Sequence, residues 1–446
     1  MASRVNTKFV VILIVAVIAM LGMLYAAYSV VYKTAADVAA KGDQALAAGN
    51  VAQARMLYAK AVNKDPTIVE NLDKWIGTLE QWTPDTETAY YDAFRSDYMG
   101  AIHQAAVVQR TNVEAYHREL GLQLELLRQQ YTRPQAERLI TRTTEVLGNF
   151  DGVPGVDPMW PTLRRYRGIA WQQISDRDGV IDESQFETIL ADLDAALLAD
   201  PSDEFTRTAR MRWMIFEALQ KVTENDITAA VNARKEAIKI GEAHLEQFPD
   251  SSLVLVSILS IEVELAGADA FAAESESKSQ RTQAILTSWE GLISKLDTLF
   301  EQLMDIPASK LNLNVLNRFV AIEIRVDPAS KLSRASQLME KLHNEAPDSL
   351  NVLVATGSLY AIRGDRDKAL EVYTQIANRP IPPLSTDGVL LFNAKRESLL
   401  SITSMKLDMY ARIKASEDKD QAQLDGLMHS RHAPSLLQPF QKTTPT

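Results

Sequence analysis

Cysteine is absent from this chain of 446 residues. Its absence excludes disulfides, thiolate catalysis, cysteine-ligated zinc and lipid attachment to an N-terminal cysteine. An excess of positive charge is also absent, because 47 Lys and Arg stand against 58 Asp and Glu, for a net charge of −11. General nucleic-acid binding needs a basic surface that displaces counterions. We therefore expect no nucleic-acid partner.

The short motifs of the common enzyme classes are missing as well. The sequence contains no G-x-x-x-x-G-K-[ST] phosphate loop, no G-x-G-x-x-G turn and no G-x-S-x-G nucleophile elbow. We expect neither enzymatic activity nor a cofactor. The length exceeds that of one simple core, and 46% of the residues are hydrophobic, so several domains or a repeat array are expected.

One long apolar run lies near the N-terminus, at residues 9–32, and contains no charged residue. A helix of about 20 apolar residues crosses the roughly 30 Å hydrocarbon core of a bilayer. Tyr25, Tyr28 and Tyr32 lie at the far end of the run, where aromatic rings favour the headgroup region. The pattern predicts a short N-terminal segment at 1–8 and a transmembrane helix at 9–32. A cleaved signal peptide and a buried helix are the alternatives.

The charges that flank this run set its expected orientation. Arg4 and Lys8 precede it, while Lys33 and Lys41 follow it. The small bias in positive charge favours a cytoplasmic N-terminus. We expect a single-pass protein of a bacterial inner membrane, with the rest of the chain on the periplasmic side.

The stretch GDQALAAGNVAQARMLYAKAVNKDP, at residues 42–66, has small residues at regular offsets and a closing proline. It predicts two antiparallel helices, Ala35 to Ala47 and Val51 to Asn63, with a tight turn between them. Small residues permit their close approach, a tyrosine fills the groove, and proline ends the second helix. The positions concerned are Gly42, Gly49, Ala54, Tyr58, Ala61 and Pro66.

A second copy of the pattern lies far along the chain, within residues 350–383. Its signature residues are Gly357, Tyr360, Gly364, Ala369 and Tyr373. The preceding unit, at 316–349, keeps the register with Ala335, Met339, Leu342 and Pro347. These motifs resemble the tetratricopeptide repeat, a helical hairpin of 34 residues. Weaker copies with insertions lie between the clear ones.

The resemblance implies an all-α chain, in which the N-terminal transmembrane helix is followed by an α-solenoid of degenerate TPR-like helical hairpins. We expect N-terminal repeats at 35–147, central repeats with insertions at 160–310 and C-terminal repeats at 316–415. A short helix and a disordered tail are expected at 416–446. The polar stretch at 266–281 is interpreted as a surface loop between helices.

In this family the first helices of the hairpins form a concave face that holds a peptide or a partner helix. The resemblance places Asn351, Val354, Ser358 and Ile362 on that face, and likewise Ala36, Ala39, Asp43 and Leu46 in the first repeat. It implies a membrane-anchored scaffold that binds protein partners and assembles a complex at the membrane. The alternatives are a structural or regulatory subunit of an obligate envelope complex, and side chains that only pack against neighbouring helices.

The segment SDRDGVIDESQFE, at 175–187, resembles the calcium loop of an EF-hand. The candidate metal ligands are Asp176, Asp178 and Asp182, whereas Ile174 and Gln185 occupy the first and last ligand positions, where acidic residues belong. Two interpretations follow. The segment is either an acidic, solvated loop between two helices or the calcium site of a calcium-responsive binding protein.

Overall fold

A computed structural model describes residues 14–23, 34–129, 131–149, 160–179, 181–221, 227–272 and 278–415, and in that part of the chain the regular elements are all helices. Apart from the helical stretch at 14–23, the α-helices run as follows. They are α1 (Ala35–Ala47), α2 (Val51–Lys64), α3 (Val69–Gln81), α4 (Glu87–Ala93), α5 (Met99–Val108), α6 (Val113–Gln129), α7 (Arg133–Asn149), α8 (Trp160–Asp178), α9 (Phe186–Ala199), α10 (Glu204–Lys221), α11 (Ile227–Gln247), α12 (Ser252–Ala272), α13 (Lys278–Asp305), α14 (Leu313–Val326), α15 (Ser333–Glu345), α16 (Leu350–Arg363), α17 (Arg366–Ala377) and α18 (Thr386–Ala415).

The α1–α2 hairpin shows how local sequence sets the helix ends. Thr34 and Asp37 form a reciprocal capping box at the start of α1, which satisfies backbone N–H groups that have no partner within the helix. Gly49 then adopts a left-handed φ of 76°, a conformation that glycine reaches without steric cost. The Asn50 side chain accepts a hydrogen bond from the Gln53 N–H at 3.0 Å and begins α2. The turn is therefore specified by two adjacent residues.

The chain divides into two compact units, and the first contains residues 1–119 together with 381–389. Helices α1, α2 and α3 pack in succession, and a π-helical turn at Phe94–Tyr98 joins α4 to α5. The distant segment 381–389 is held by two hydrogen bonds. The Leu384 N–H donates to the Trp82 carbonyl at 3.3 Å, and the Tyr90 hydroxyl donates to the Pro383 carbonyl at 3.3 Å. The Leu384 side chain is fully buried.

The second unit contains residues 120–380 and 390–446. Its hairpins α8–α9, α10–α11 and α16–α17 are packed pairs, and α12–α13 and α14–α15 follow the same order. The first helix of each hairpin contacts the first helix of the next, from α8 through α10, α12 and α14 to α16. A continuous apolar core, with Leu296, Phe319 and Leu338 fully buried, runs under α12 to α16. The arrangement within this unit is solenoid-like.

The predicted membrane span at 9–32 is not supported. Within the described residues, no helix combines the length and the apolar character that crossing a bilayer requires. The prediction of a single-pass inner-membrane protein with a periplasmic array is therefore wrong. Residues 1–13 and 24–33 lie outside the described part of the chain.

The stretch at 266–281 also departs from the interpretation as a loop. Helix α12 continues to Ala272 and α13 begins at Lys278. The sequence AGADAFAA at 266–273 is rich in alanine. Alanine has the highest helix propensity, so α12 extends as far as Ala272. Residues 273–277 and the predicted tail at 416–446 lie outside the described residues. The predicted grouping into repeats at 35–147, 160–310 and 316–415 stays a prediction. The two compact units do not test it, because a compact unit need not coincide with a group of repeats.

Helix α15 begins in an unusual way. Lys331 and Leu332, which precede it, have left-handed φ values of 53° and 60°, and the Leu332 side chain cannot cap a helix. The carboxylate of Glu323, fully buried on α14, accepts hydrogen bonds from the Arg334 N–H at 3.0 Å and the Ala335 N–H at 2.8 Å. A side chain of the preceding helix thus caps α15.

Candidate partner-binding face

The repeat-signature residues meet in the hairpins as contacting pairs. A methyl group added to Gly42 would lie 2.7 Å from Tyr58 Cε1, and one added to Gly357 would lie 2.7 Å from Tyr373 Cε1. Ala54, Ala61 and Ala369 are fully buried. Tyr360 is half-buried and packs against the core cluster that contains Tyr373. Gly364 adopts a φ of 84° at the turn after α16, and Pro66 follows the end of α2 at Lys64.

The predicted partner face on α16 is only partly open. Asn351 and Ile362 are exposed, and 55% of Ile362 is accessible to solvent. Val354 is half-buried and packs against the core formed with Tyr373. Ser358 lies 3.4 Å from the Tyr373 hydroxyl. Two of the four residues therefore face solvent, and the other two help to pack the hairpin.

The corresponding positions of α1 are largely engaged within the protein. Ala39 is buried in the core of the hairpin, and Leu46 packs against it. Asp43 accepts hydrogen bonds from the Tyr58 hydroxyl at 2.6 Å and from Lys74 Nζ at 3.2 Å. These bonds, that from Tyr58 above all, lower the pKa of the Asp43 carboxyl. Ala36 is exposed, so this helix offers little free surface.

The carboxylates of the EF-hand-like segment are not brought together. Asp178 accepts a hydrogen bond from the Tyr131 hydroxyl at 2.7 Å, and Asp182 caps a short 3-10 turn by accepting from the Ser184 N–H at 2.9 Å. Asp176 accepts from Gln172 one turn earlier on α8. In the described residues, no group of three or more histidine or acidic side chains has a metal-binding arrangement. The geometry thus lends no support to the calcium alternative.

A polar cluster that the sequence did not reveal lies on α8, α10, α11, α12 and α14 of the second unit, and we call it the arginine cluster. Helix α12 supplies Ser257, Ser260 and Glu264, a stripe on one helix face because neighbours on a helix are three or four residues apart. From α10, Arg212 Nη1 donates to Glu264 at 2.7 Å and Nη2 to Ser260 at 3.2 Å. From α14, Arg318 Nη1 donates to Ser257 at 2.9 Å. The remaining members are Arg234, which is 3.6 Å from Glu264, and Asp176.

The charges in the arginine cluster are unevenly paired. The Glu264 carboxylate forms ion pairs with both Arg212 and Arg234. Arg318 donates a hydrogen bond to the Ser257 hydroxyl and has no carboxylate partner among the described residues. Burial and repulsion by Arg212 lower the pKa of the Arg318 guanidinium. Asp176 is exposed to solvent, yet desolvation by the surrounding protein raises the pKa of its carboxyl despite the nearby Arg212 and Arg318.

Sequence reasoning missed the arginine cluster because its members come from five helices and share no local motif. Asp176 was noticed, but as a calcium ligand rather than as a neighbour of arginines. The available signal was the hairpin register, which places Arg212 and Ser260 on consecutive first helices. Spacing alone does not give the rotation of α10 against α12.

Comparisons with known proteins give only distant likenesses. No family model matches the chain, and no curated protein matches it. Among solved structures, the human IFIT1 dimer with m7Gppp-AAAA has 12% identity and a TM-score of 0.30 over 92% of this chain and 89% of that chain. Yeast Tom70 has 12% identity and a TM-score of 0.20 over 92% and 93%. The TPR domain of P58(IPK) has 14% identity and a TM-score of 0.20 over 82% and 98%.

These TM-scores are low, and nothing about function is taken from them. The assignment of the fold rests on the hairpins themselves, with the packing of glycine against tyrosine in α1–α2 and α16–α17 and the ordered contacts of first helices from α8 to α16. The described part of the chain forms a TPR-like helical-repeat fold.

Proposed function

We propose that this protein is a scaffold that binds a protein partner along the layer of first helices in its second unit, α8, α10, α12, α14 and α16. Stacked helical hairpins present such a layer as an extended concave binding surface. That the protein is not an enzyme stays a prediction, which rests on the enzyme motifs missing from the sequence. The absence of a nucleic-acid partner stays a prediction, which rests on the net charge of −11.

The arginine cluster is the observation that carries this proposal. Charged side chains on a surface that served only for packing would be paired or fully solvated. Arg318 instead lies half-buried, and its hydrogen-bond partner among the described residues is the Ser257 hydroxyl. Asp176 is exposed, yet burial by the surrounding protein raises the pKa of its carboxyl. Groups in this state are positioned to contact a ligand that completes their hydrogen bonds.

A photocrosslinking comparison between the two helical layers tests the proposal. Benzoylphenylalanine would replace Leu219 of α10 or Ile362 of α16, which are exposed on first helices, in the full chain expressed in its native cells. Lys239 of α11 and Glu340 of α15 are exposed control positions on second helices. We expect one discrete protein to crosslink at the first-helix positions alone. Equal crosslinking from both layers, or none from either, would contradict the proposal.

A further inference from the structure

The stripe on α12 holds two guanidinium groups close together. Ser257 and Ser260 are three residues apart, so their hydroxyls lie about one helical turn apart on the same face. The first contacts Arg318 and the second contacts Arg212. The two arginines come from α14 and α10, which flank α12 on either side. Their guanidinium groups therefore converge on one strip of surface.

The arginine cluster contains an unbalanced positive charge. Its cations are Arg212, Arg234 and Arg318, and its carboxylates are Asp176 and Glu264, which leaves one positive charge in excess. The guanidinium groups of Arg212 and Arg318 repel each other. Partly buried like charges are costly unless an opposite charge approaches them. The local excess is notable in a chain whose net charge is −11.

We infer that Arg212 and Arg318 bind the side-chain carboxylate of a glutamate or aspartate on the protein segment that docks along the first-helix layer. This inference rests on the proposed function, because it names the chemistry of the partner at that same surface. An arginine fork donates paired hydrogen bonds to a carboxylate, and such charge-assisted bonds are stronger than neutral ones. The acidic side chain would supply the charged acceptor that Arg318 lacks among the described residues.

The charge balance favours a carboxylate over a phosphate. One carboxylate brings one negative charge and neutralises the cluster. A phosphate monoester brings about 1.5 to 2 negative charges near neutral pH, and it would add repulsion from the Asp176 and Glu264 carboxylates. The Asp176 carboxylate competes with the ligand for the two arginines, because it is an exposed anion that already interacts with both of them. Removing its charge should strengthen binding of the ligand.

Nuclear magnetic resonance of the full chain with ¹⁵N-labelled arginine tests the inference directly. The probe is N-acetyl-glutamate amide, whose only charge is the side-chain carboxylate. We expect its titration to shift the Nε–Hε resonances of Arg212 and Arg318 in a saturable way. N-acetyl-glutamine amide should leave them in place, and N-acetyl-phosphoserine amide should bind more weakly. Equal shifts with all three probes, no shift with any, or tighter binding of phosphoserine would overturn the inference.

Three variants sharpen the result. Arg318→Gln should weaken binding of the glutamate probe by about tenfold, the loss expected for a charge-assisted hydrogen bond. Asp176→Asn should strengthen binding by a few-fold. Arg210→Gln, on α10, is the control, because it also removes one arginine charge. Arg210 pairs with the exposed Asp194 at 2.8 Å, so this variant should bind the glutamate probe as the wild type does. Equal affinity in Arg318→Gln and Arg210→Gln would contradict the assignment.

The outcomes separate this inference from the proposed function. If the probe fails to bind while the layer-specific crosslinks appear, the scaffold stands and the acidic anchor is wrong. If the probe binds and no partner crosslinks, the anion site stands without the scaffold role. Reduced crosslinking in Arg318→Gln, with unchanged crosslinking in Arg210→Gln, would link the two.

Discussion

At the scale of single residues, the missing side chain of Gly42 determines how closely α1 and α2 approach. The Tyr58 ring lies where a methyl group on residue 42 would project, and it is fully buried. Its hydroxyl also reaches Asp43 on the same helix as the glycine, at 2.6 Å. One small residue thus allows both the apolar contact and the hydrogen bond.

Gly42→Ala should destabilise the protein by about 1 to 3 kcal/mol, because overpacking forces the buried ring to move. The matched control is Gly77→Ala on α3, where an added methyl group meets nothing within 4 Å. That substitution should be neutral or stabilise by up to about 1 kcal/mol through helix propensity. Urea unfolding of the two variants checks the difference, and similar losses in both would contradict the close-approach account.

The same tyrosine predicts sensitivity to alkaline pH. Burial, followed by the hydrogen bond to Asp43, raises the pKa of Tyr58 to about 12 from an ordinary value of 10.0. The folded state therefore favours the protonated phenol. Its contribution, of order 2 kcal/mol, is fully present below pH 10 and is lost as the pH rises towards 12.

Unfolding curves measured from pH 9 to 11.5 should show this loss. The loss should be smaller in Tyr58→Phe, which has no phenol to ionise, although Tyr131 has its pKa raised to about 12 as well and will retain part of the slope. A slope that is identical in Tyr58→Phe and the wild type would refute the assignment.

Residue-scale prediction succeeds where a contact is local. The pairing of Gly42 with Tyr58 could be anticipated because the two residues are 16 apart within one hairpin of known spacing. The approach of Arg318 to Ser257 spans 61 residues and depends on the rotation of two helices about their axes. Insertions in the intervening repeats shift that rotation without leaving a mark in the local pattern, so the arginine cluster was not predicted.

At the scale of elements, α15 depends on a cap that lies outside its own sequence. Glu323 occupies the eighth position of the 316–349 repeat, where the neighbouring repeat has Gly357. A glycine there would admit a large ring, whereas the glutamate accepts bonds from Arg334, Ala335 and the Ser330 hydroxyl. The residue that departs from the repeat consensus, Glu323, therefore caps the start of the next helix.

Glu323→Gln should cost about 2 to 4 kcal/mol, because it removes the charge that satisfies buried N–H groups and places amide donors against them. Glu340→Gln, at an exposed position on α15, should change stability by less than about 0.5 kcal/mol. Chemical denaturation measures both variants. A small effect in Glu323→Gln would show that solvent caps α15 equally well.

Lys331→Gly, at the turn before α15, is expected to increase stability. Lys331 is exposed and holds a φ of 53°, a conformation that costs a residue with a side chain roughly 1 kcal/mol relative to glycine. We expect the substitution to be neutral or to raise the melting temperature by a few degrees. Lys310→Gly, on an exposed turn with no left-handed φ, should lower it.

Helix ends show the same division between local and distant causes. Residues Ala35 to Ala47 were predicted as a helix with the observed bounds, because the glycine turn and the following Asn50 mark its end. The π-helical turn at Phe94–Tyr98 has no sequence signal that propensity or periodicity would reveal.

At the scale of the whole molecule, the first unit contains a segment from the far end of the sequence. Residues 381–389 belong with 1–119 in one compact unit, and Leu384 is fully buried there. The sequence predicts a simple succession of hairpins and gives no sign of this return. The proline-rich stretch IPPLSTDG has the residues of a turn, which describes its backbone but not its location.

Leu384→Ala should destabilise the first unit by about 2 to 5 kcal/mol, the usual loss for a buried leucine. Hydrogen exchange read by mass spectrometry should show faster exchange in α3, α4 and α5. Leu407→Ala, at a position on α18 that is 63% exposed, is the control and should leave those helices protected. Unchanged exchange in the Leu384 variant would indicate that the segment 381–389 rests on the unit without supporting it.

The membership of 381–389 in the first unit has a consequence for biosynthesis. About 260 residues separate the two parts of that unit, and at 5 to 20 residues per second a ribosome needs roughly 13 to 52 s to make them. During that interval the nascent helices α3 and α4 lack the segment that carries Leu384. The part of this unit that is made early thus waits for a segment that is made much later, and its unfinished surface is available to chaperones throughout that interval.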